Sequence, residues 1–394
     1  MKVLQINTTY NFGSTGRIVA GIDRVLAGAC IESYVAYGYG NLQDTHHYKI
    51  INQLDSYSHN ICSRLTDGQG LFSSYKTKKL INYIDDINPD VVQLHNLHGN
   101  YLNYEILFNY LRIKDCKVVW TLHDCWAFTG HCAYFDMVGC NKWKIQCCNC
   151  PQKNAYPPSV FADCSRRNYN KKKELFLSLG KRLVLVPVSY WLSDLLKESF
   201  FAGTSIKVIH NGINLEKFKI YQKINVRPYI LGVAAPWNKR KGLSDFIKLR
   251  EILDPAIDIV LVGLSKQQIE SLSNGIEGVE HTNSIEELAK LYSGAIAFVN
   301  TTYEDNYPTV NLEAIACGTP VITYKTGGCV ESLNSDCGVV VEQGYVNDLI
   351  KAISLIRNRS FQFRSDDLRS FAERNFNEVD CFKSYLNLYK LISV

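Results

Sequence analysis

A chain of 394 residues is too long for one ordinary hydrophobic core and suits two domains of ordinary size. Apolar residues make up 46% and charged residues 21%. No apolar run approaches the roughly 18 residues of a membrane span, which excludes a helical membrane-spanning protein. The net charge of +5 argues only weakly for an anionic partner such as a lipid head group or a diphosphate, and it implies no nucleic acid.

In chain order, Met1-Lys2-Val3-Leu4-Gln5-Ile6-Asn7 is a short apolar run that breaks at Asn7. It has no extended apolar core and no small-residue cleavage site, so it reads as a first β-strand in a cytoplasmic protein. Strand-like runs follow at Ser33 to Tyr37, Val91 to Leu94, Lys117 to Leu122, Leu183 to Pro187 and Lys207 to Ile209, separated by helix-length segments. The alternation restarts with Tyr229 to Ala234, Ile257 to Gly263, Ala295 to Asn300 and Pro320 to Tyr324. A restarted α/β alternation predicts two doubly wound, Rossmann-like domains, whose parallel sheets bind ligands beyond the carboxyl ends of their strands and face one another across a cleft. The turn-forming run His210-Asn211-Gly212-Ile213-Asn214 and the charged connector Glu216 to Arg227 mark the boundary. The expected domains are 1–215, carrying a Cys-rich insertion at 125–164, and 216–370. A terminal helix, 371–394, follows, with Phe371, Phe376, Phe382, Tyr385, Leu386, Tyr389 and Leu391 spaced for burial.

Several residue groups carry chemistry. Gly13-Ser14-Thr15-Gly16 follows the first strand and opens a helix, so the amides around Gly13 and Gly16 suit a phosphate or a sugar. The alternative is a tight turn that needs glycine torsions. Thr121-Leu122-His123-Asp124 ends a strand where a substrate-orienting His enters a site, and a neutral imidazole there can hydrogen-bond a sugar or handle an acceptor proton. His95 and His98 follow the strand Val91 to Leu94 and either line the same site or serve the core.

Cys132, Cys140, Cys147 and Cys150 form a C-x7-C-x6-C-x2-C array with Cys125, Cys148 and Cys164 nearby. Without a secretion signal, disulfides are not expected to persist, and the Cys-x-x-Cys end suits a structural zinc. Reduced thiols packing a loop, or a redox or iron–sulfur role, are the alternatives. The basic run Arg166-Arg167-Asn168-Tyr169-Asn170-Lys171-Lys172-Lys173 is either a solvated helix face or a contact with anionic lipid or a lipid-diphosphate acceptor, with Tyr169 and Tyr156 at the interface.

Lys239-Arg240-Lys241-Gly242 places cations directly after a strand and before a helix, where an anionic ligand relieves their unfavourable encounter with the helix dipole. This is the expected diphosphate clamp. In Glu304-Asp305-Asn306-Tyr307-Pro308-Thr309-Val310-Asn311-Leu312-Glu313, Pro308 starts a helix with Asn306 or Tyr307 as its cap. Asp305 then lies outside the helix and Glu313 roughly 7 to 8 Å up its axis. The amides of Thr309 and Val310 point outward with the positive end of the dipole. One junction offers two hydroxyl acceptors and an anion site.

This segment, continued by Ala314-Ile315-Ala316-Cys317-Gly318-Thr319-Pro320-Val321, resembles the donor-site signature of retaining glycosyltransferases of the GT-B fold, family 4. The resemblance implies that Glu313 grips the ribose hydroxyls of a donor nucleotide and that Asp305 faces the hexose. Asp305 stands where the family has Glu, with Glu304 beside it as the alternative. Lys241 matches the family's Lys-Gly element, whereas the usual Arg position is Pro236, leaving that role to Arg240. His123 resembles the family's His near the transferred sugar. The loop Gly327, Gly328 and Glu331 is implied to lie by the donor, and the terminal helix to cross back to the first domain.

The activity so implied is transfer of a hexose from a UDP- or GDP-sugar to a saccharide or polyprenyl-diphosphate-linked acceptor, in bacterial surface-polysaccharide assembly (O-antigen, capsule or exopolysaccharide). Lys241, Arg240 and the amides of Thr309 and Val310 would stabilise the departing diphosphate, with no cofactor required. The expected location is the cytoplasm, with peripheral contact at the inner membrane surface. An epimerase or phosphorylase of the same double fold and a non-enzymatic partner-binding protein are the rival classes.

Overall fold

A computed structural model describes residues 1–222 and 227–393. Part of the connector Glu216 to Arg227, and the terminal Val394, lie outside the described residues. Two compact units result: residues 1–210 with 382–394, and residues 211–381.

The first unit is built on a parallel sheet of seven strands: β1 Lys2–Thr9, β2 Glu32–Tyr39, β3 His47–Lys49, β4 Val91–Leu94, β5 Lys117–Leu122, β6 Leu183–Pro187 and β7 Ser205–Ile206. Their order is β3-β2-β1-β4-β5-β6-β7. Helices cover the sheet, so β4, β6 and nearly all of β5 are buried and read as continuous apolar runs. The strand expected at Lys207 to Ile209 ends at Ile206 instead. The ladder's reach explains the expectation, since the Lys207 and Ile209 amides still donate to Leu185 and Pro187 carbonyls.

The second unit repeats the plan with β8 Tyr229–Val233, β9 Asp258–Val262, β10 Ile276–Val279, β11 Phe298–Asn300, β12 Val321–Tyr324 and β13 Gly338–Val341, in the order β10-β9-β8-β11-β12-β13. In each sheet the direction of winding reverses once, between β1 and β4 and between β8 and β11. Loops leaving adjacent strands diverge at such a point, which opens a crevice at the carboxyl edge.

The C-terminal stretch forms two helices, Ser365–Asn375 and Glu378–Ile392. From Phe382 onward the second of these belongs to the first unit. There Tyr389 donates to Gln93 Oε1, and Thr121 Oγ1 donates to the Tyr385 hydroxyl at 3.2 Å. Leu391, expected inside, is 75% exposed, and Leu388 takes the buried position in the last turns.

Candidate active site

In the second unit the loops leaving β8 and β11 are stitched together at the reversal point. Thr301 Oγ1 donates to the Lys241 and Gly242 carbonyls at 3.0 and 3.1 Å, and the Tyr303 amide donates to the Arg240 carbonyl at 2.7 Å. Gly242 has φ +72°, and a Cβ there would lie 2.2 Å from the Thr301 carbonyl oxygen, so only glycine allows this approach. Asn238 Oδ1 accepts from the Lys241 amide at 3.2 Å and closes the one-turn 3-10 segment Lys239–Lys241.

The stitching delivers Lys241 Nζ to Asp305 Oδ2 at 2.5 Å, with the two side chains only 18% and 14% exposed. Asp305 Oδ1 accepts from the Asn306 amide at 2.9 Å. Burial opposes the charge on Asp305, but the Lys241 and Arg240 cations outweigh it and hold the carboxyl below its usual range. Arg240 Nη1 donates to the Glu304 carbonyl at 2.5 Å. Asp305, and not Glu304, is therefore the carboxylate that Lys241 engages. Both expected clamp cations have partners inside the unit.

The helix Thr309–Ala316 begins one residue later than expected, and its cap residue is Pro308 rather than Asn306 or Tyr307. No side chain caps it, so Thr309 and Val310 open the helix half-buried. Glu313 lies in its interior at 4% exposure and accepts from the Tyr292 hydroxyl at 3.2 Å. The loop after β12 presses on Asp305: Gly327 has φ +49°, and a Cβ would lie 1.9 Å from the Asp305 carbonyl oxygen. Gly328 is buried and Glu331 half-buried in the same loop. Asp305, Lys241 and the Gly327 loop thus form one constellation, with Glu313 on the helix that follows.

In the first unit the reversal point sets a neutral histidine pair beside a His98–Asp124 pair. Gly13 opens the helix Gly13–Gly28 with φ +64°, while a Cβ on Gly16 would lie 2.7 Å from Thr9 Oγ1, which gives Gly16 a packing role. His95 and His123 follow β4 and β5. His95 Nδ1 and His123 Nε2 are 3.2 Å apart, and burial pushes His123 down to about 4, against the pull of Asp124. His98 Nε2 bonds Asp124 Oδ2 at 2.8 Å and His98 Nδ1 bonds the Tyr156 hydroxyl at 3.0 Å. Burial opposes the Asp124 charge, but His98 holds that carboxyl below its usual range.

The Cys-rich insertion packs around Trp126, Phe128, Phe135 and Trp143. Cys125, Cys132 and Cys147 are buried, Cys140 and Cys150 half-buried, and none is in a disulfide. Cys132 hydrogen-bonds to Cys150, which raises the Cys132 thiol and makes Cys150 the more acidic of the pair. The zinc expected of Cys132, Cys140, Cys147 and Cys150 finds no support, because among the described residues no group of three or more His, Cys, Asp or Glu side chains is placed to hold a metal ion. What ties the insertion down lay outside the cysteine pattern. His131 Nδ1 meets Asp67 Oδ1 at 2.5 Å with both side chains 2% exposed. The Lys172 amine, pushed down to about 7 by burial, donates to the Trp126 and Thr129 carbonyls and sits 3.4 Å from the Trp126 ring centroid.

Only part of the basic run is on the surface: Arg166, Arg167 and Lys173 are exposed, and so is Tyr156. Lys172 is 2% and Tyr169 1% exposed, Tyr169 donates to the Trp143 carbonyl, and Lys171 pairs with Glu105 at 2.6 Å. Among the described residues no helix is long and apolar enough to cross a membrane.

Comparison with known proteins defines the class. Residues 227–358 match the family model described as glycosyl transferases group 1. Over its whole length the chain is 24% identical to WcaC of Escherichia coli (strain K12), which carries the name of a colanic acid biosynthesis glycosyl transferase; the alignment spans 99% of this chain and 100% of that protein. Among solved structures, a sucrose-phosphate synthase from Thermosynechococcus elongatus superposes with a TM-score of 0.72 at 16% identity, covering 99% and 98% of the two chains. The Anabaena protein HepE in complex with UDP-glucose superposes with a TM-score of 0.68 at 15% identity, covering 99% of each. A group 1 glycosyl transferase domain thus spans residues 227–358, and the chain as a whole has the GT-B fold.

Proposed function

We propose that this enzyme transfers a hexose from a nucleotide-diphosphate sugar to a saccharide or lipid-linked saccharide acceptor, with retention of configuration, in cell-surface polysaccharide assembly. The observation that carries the reading is the Lys241–Asp305 pair at the reversal point of the second sheet, beside the helix that bears Glu313. Residues 216–370 are the nucleotide-sugar domain in this reading, and residues 1–215 serve the acceptor. Relatives named for O-antigen mannosyl transfer and for capsular polysaccharide biosynthesis support the setting, and the UDP-glucose complex of HepE supports the donor class.

Chemically, Glu313 holds the ribose hydroxyls, and the opening amides of the helix at Thr309 and Val310 meet the diphosphate with the positive end of the dipole. Lys241 exchanges its carboxylate partner for the diphosphate as negative charge grows on the leaving group. Arg240 and the Gly327-Gly328-Glu331 loop keep Asp305 in place beside it, facing the hexose. His123, neutral at ordinary pH, orients the sugar. Isothermal titration with UDP and with GDP tests the assignment. One of the two binds at one equivalent per chain, and Glu313→Gln weakens that binding at least tenfold while thermal unfolding stays cooperative; unchanged affinity in that variant refutes the assigned site.

A further inference from the structure

The first unit's reversal point contains a directional hydrogen-bond chain that the transfer chemistry has not yet used. Gln5, on β1, is fully buried and its Nε2 donates to the Val19 carbonyl at 3.3 Å. A carbonyl can only accept, so the amide orientation is set and Gln5 Oε1 faces the other way. There it lies 3.2 Å from His95 Nε2. An amide oxygen also can only accept, so His95 must carry its proton on Nε2, which leaves Nδ1 as an acceptor. His95 Nδ1 is the atom 3.2 Å from His123 Nε2. The two rings are inclined by only 12° with centroids 5.5 Å apart, which is the spacing of edge-to-edge rings sharing an in-plane N–H···N bond rather than of rings stacked face to face. His123 therefore carries its proton on Nε2.

We propose that Gln5 and His95 are positioning residues that fix His123 in the Nε2–H tautomer, so that His123 Nδ1 presents a lone pair to a hydroxyl of the transferred sugar. Each link in the chain lies on a different strand or strand end of the parallel sheet, so the direction is built into the fold: β1 carries Gln5, β4 leads into His95 and β5 into His123. Trp120 Nε1 donates to the His95 carbonyl at 2.8 Å and anchors the middle link. Among the described residues no hydrogen-bond partner occupies His123 Nδ1. Burial keeps both imidazoles neutral, with His95 well below its ordinary value, so the chain conducts no net charge and sets orientation only.

The inference rests on the reading of His123 as a sugar-orienting residue, and two readouts separate them. In the full-length protein labelled with 15N-histidine, nitrogen chemical shifts at neutral pH report the tautomer without reference to activity. The expected result is His123 protonated on Nε2 and bare on Nδ1. Gln5→Leu, an apolar replacement of similar size, lets His95 take its other tautomer and shifts His123 towards Nδ1–H. Gln5→Glu keeps an acceptor at the same place and retains the wild-type tautomer. The transfer rate follows the tautomer: Gln5→Leu lowers kcat about tenfold with the donor KM unchanged, and Gln5→Glu restores at least half of it. A His123 found as Nδ1–H in the wild-type protein overturns the positioning chain. A tautomer that shifts in Gln5→Leu while kcat holds overturns the role of His123 in transfer and leaves the chain itself standing.

Discussion

The two reversal points occupy equivalent places in equivalent sheets and hold opposite chemistry. The second unit concentrates charge, with Lys241 on Asp305 and Arg240 on the adjacent backbone. The first unit assembles mostly neutral groups: Gln5, His95 and His123, with Gln93 Nε2 donating to Thr121 Oγ1 at 2.9 Å on the neighbouring strands, and the nearby Asp124 is paired with His98. Fixed charges suit a site where charge develops, because a preorganised cation gains most from an anion that grows during the reaction. Neutral donors and acceptors suit hydroxyls, which need direction more than charge. Two sheets of one architecture thus differ in chemistry by what stands at the end of each strand.

The largest effect should come from breaking the charged side. Glu313→Ala should lower kcat/KM for transfer by at least a hundredfold, about 3 kcal/mol of lost transition-state stabilisation, with circular dichroism unchanged. Lys241→Met should be costly in two ways, because it removes a cation from the proposed diphosphate site and leaves the Asp305 carboxylate buried without its partner. Unfolding stability should fall by roughly 3 kcal/mol. Adding Asp305→Leu should restore most of the stability and none of the activity, and denaturant titration of the single and double variants reads both.

Much of the fold was legible in the sequence because central parallel strands are buried on both faces and show it. Val91 to Leu94, Lys117 to Leu122 and Leu183 to Pro187 match their strands residue for residue. The strands at the sheet edges were missed: His47–Lys49 and Ile276–Val279 are short, half exposed and partly polar, and Gly338–Val341 is an apolar run of only four residues, so only their neighbours make them strands. The site splits along the same line. The helix-borne Glu313 and the strand-end His123 have local signals. The pairing of Lys241 with Asp305, 64 residues apart, and of Gln5 with His95, 90 residues apart, exists only once the sheets form. The cysteine array misled because its spacing looks like a ligand set, whereas a buried ion pair, a buried lysine and four aromatic rings organise that loop.

Acid should separate the two regions by pH. His59, His95 and His123 all titrate below the ordinary histidine value of 6.5, because burial disfavours their charged forms. The unfolded chain then binds protons first, so this contribution to stability is complete above pH 6.5 and is lost as pH falls towards 4. His131 opposes the trend, since Asp67 outweighs its burial and raises it. The charged side behaves differently: Asp305 is lowered from 3.8, so its contribution holds until pH falls below that value. Hydrogen exchange across pH 7 to 4 should show protection lost earlier around β4 and β5 than around the helix Thr309–Ala316. A smaller effect is expected of Gly16→Ala, whose added Cβ must displace Thr9 Oγ1. It should cost about 1 to 2 kcal/mol by thermal unfolding, with nucleotide affinity untouched.

The most direct test of the account is nucleotide titration of the intact enzyme and its Lys241→Met, Asp305→Leu double variant, which keeps the packing of the second reversal point and removes its Lys241–Asp305 ion pair. The account predicts that UDP or GDP binds the wild-type chain at one equivalent and binds the double variant at least tenfold more weakly. Equal affinity in the two proteins would contradict it, because the charged reversal point would then have no part in holding the donor.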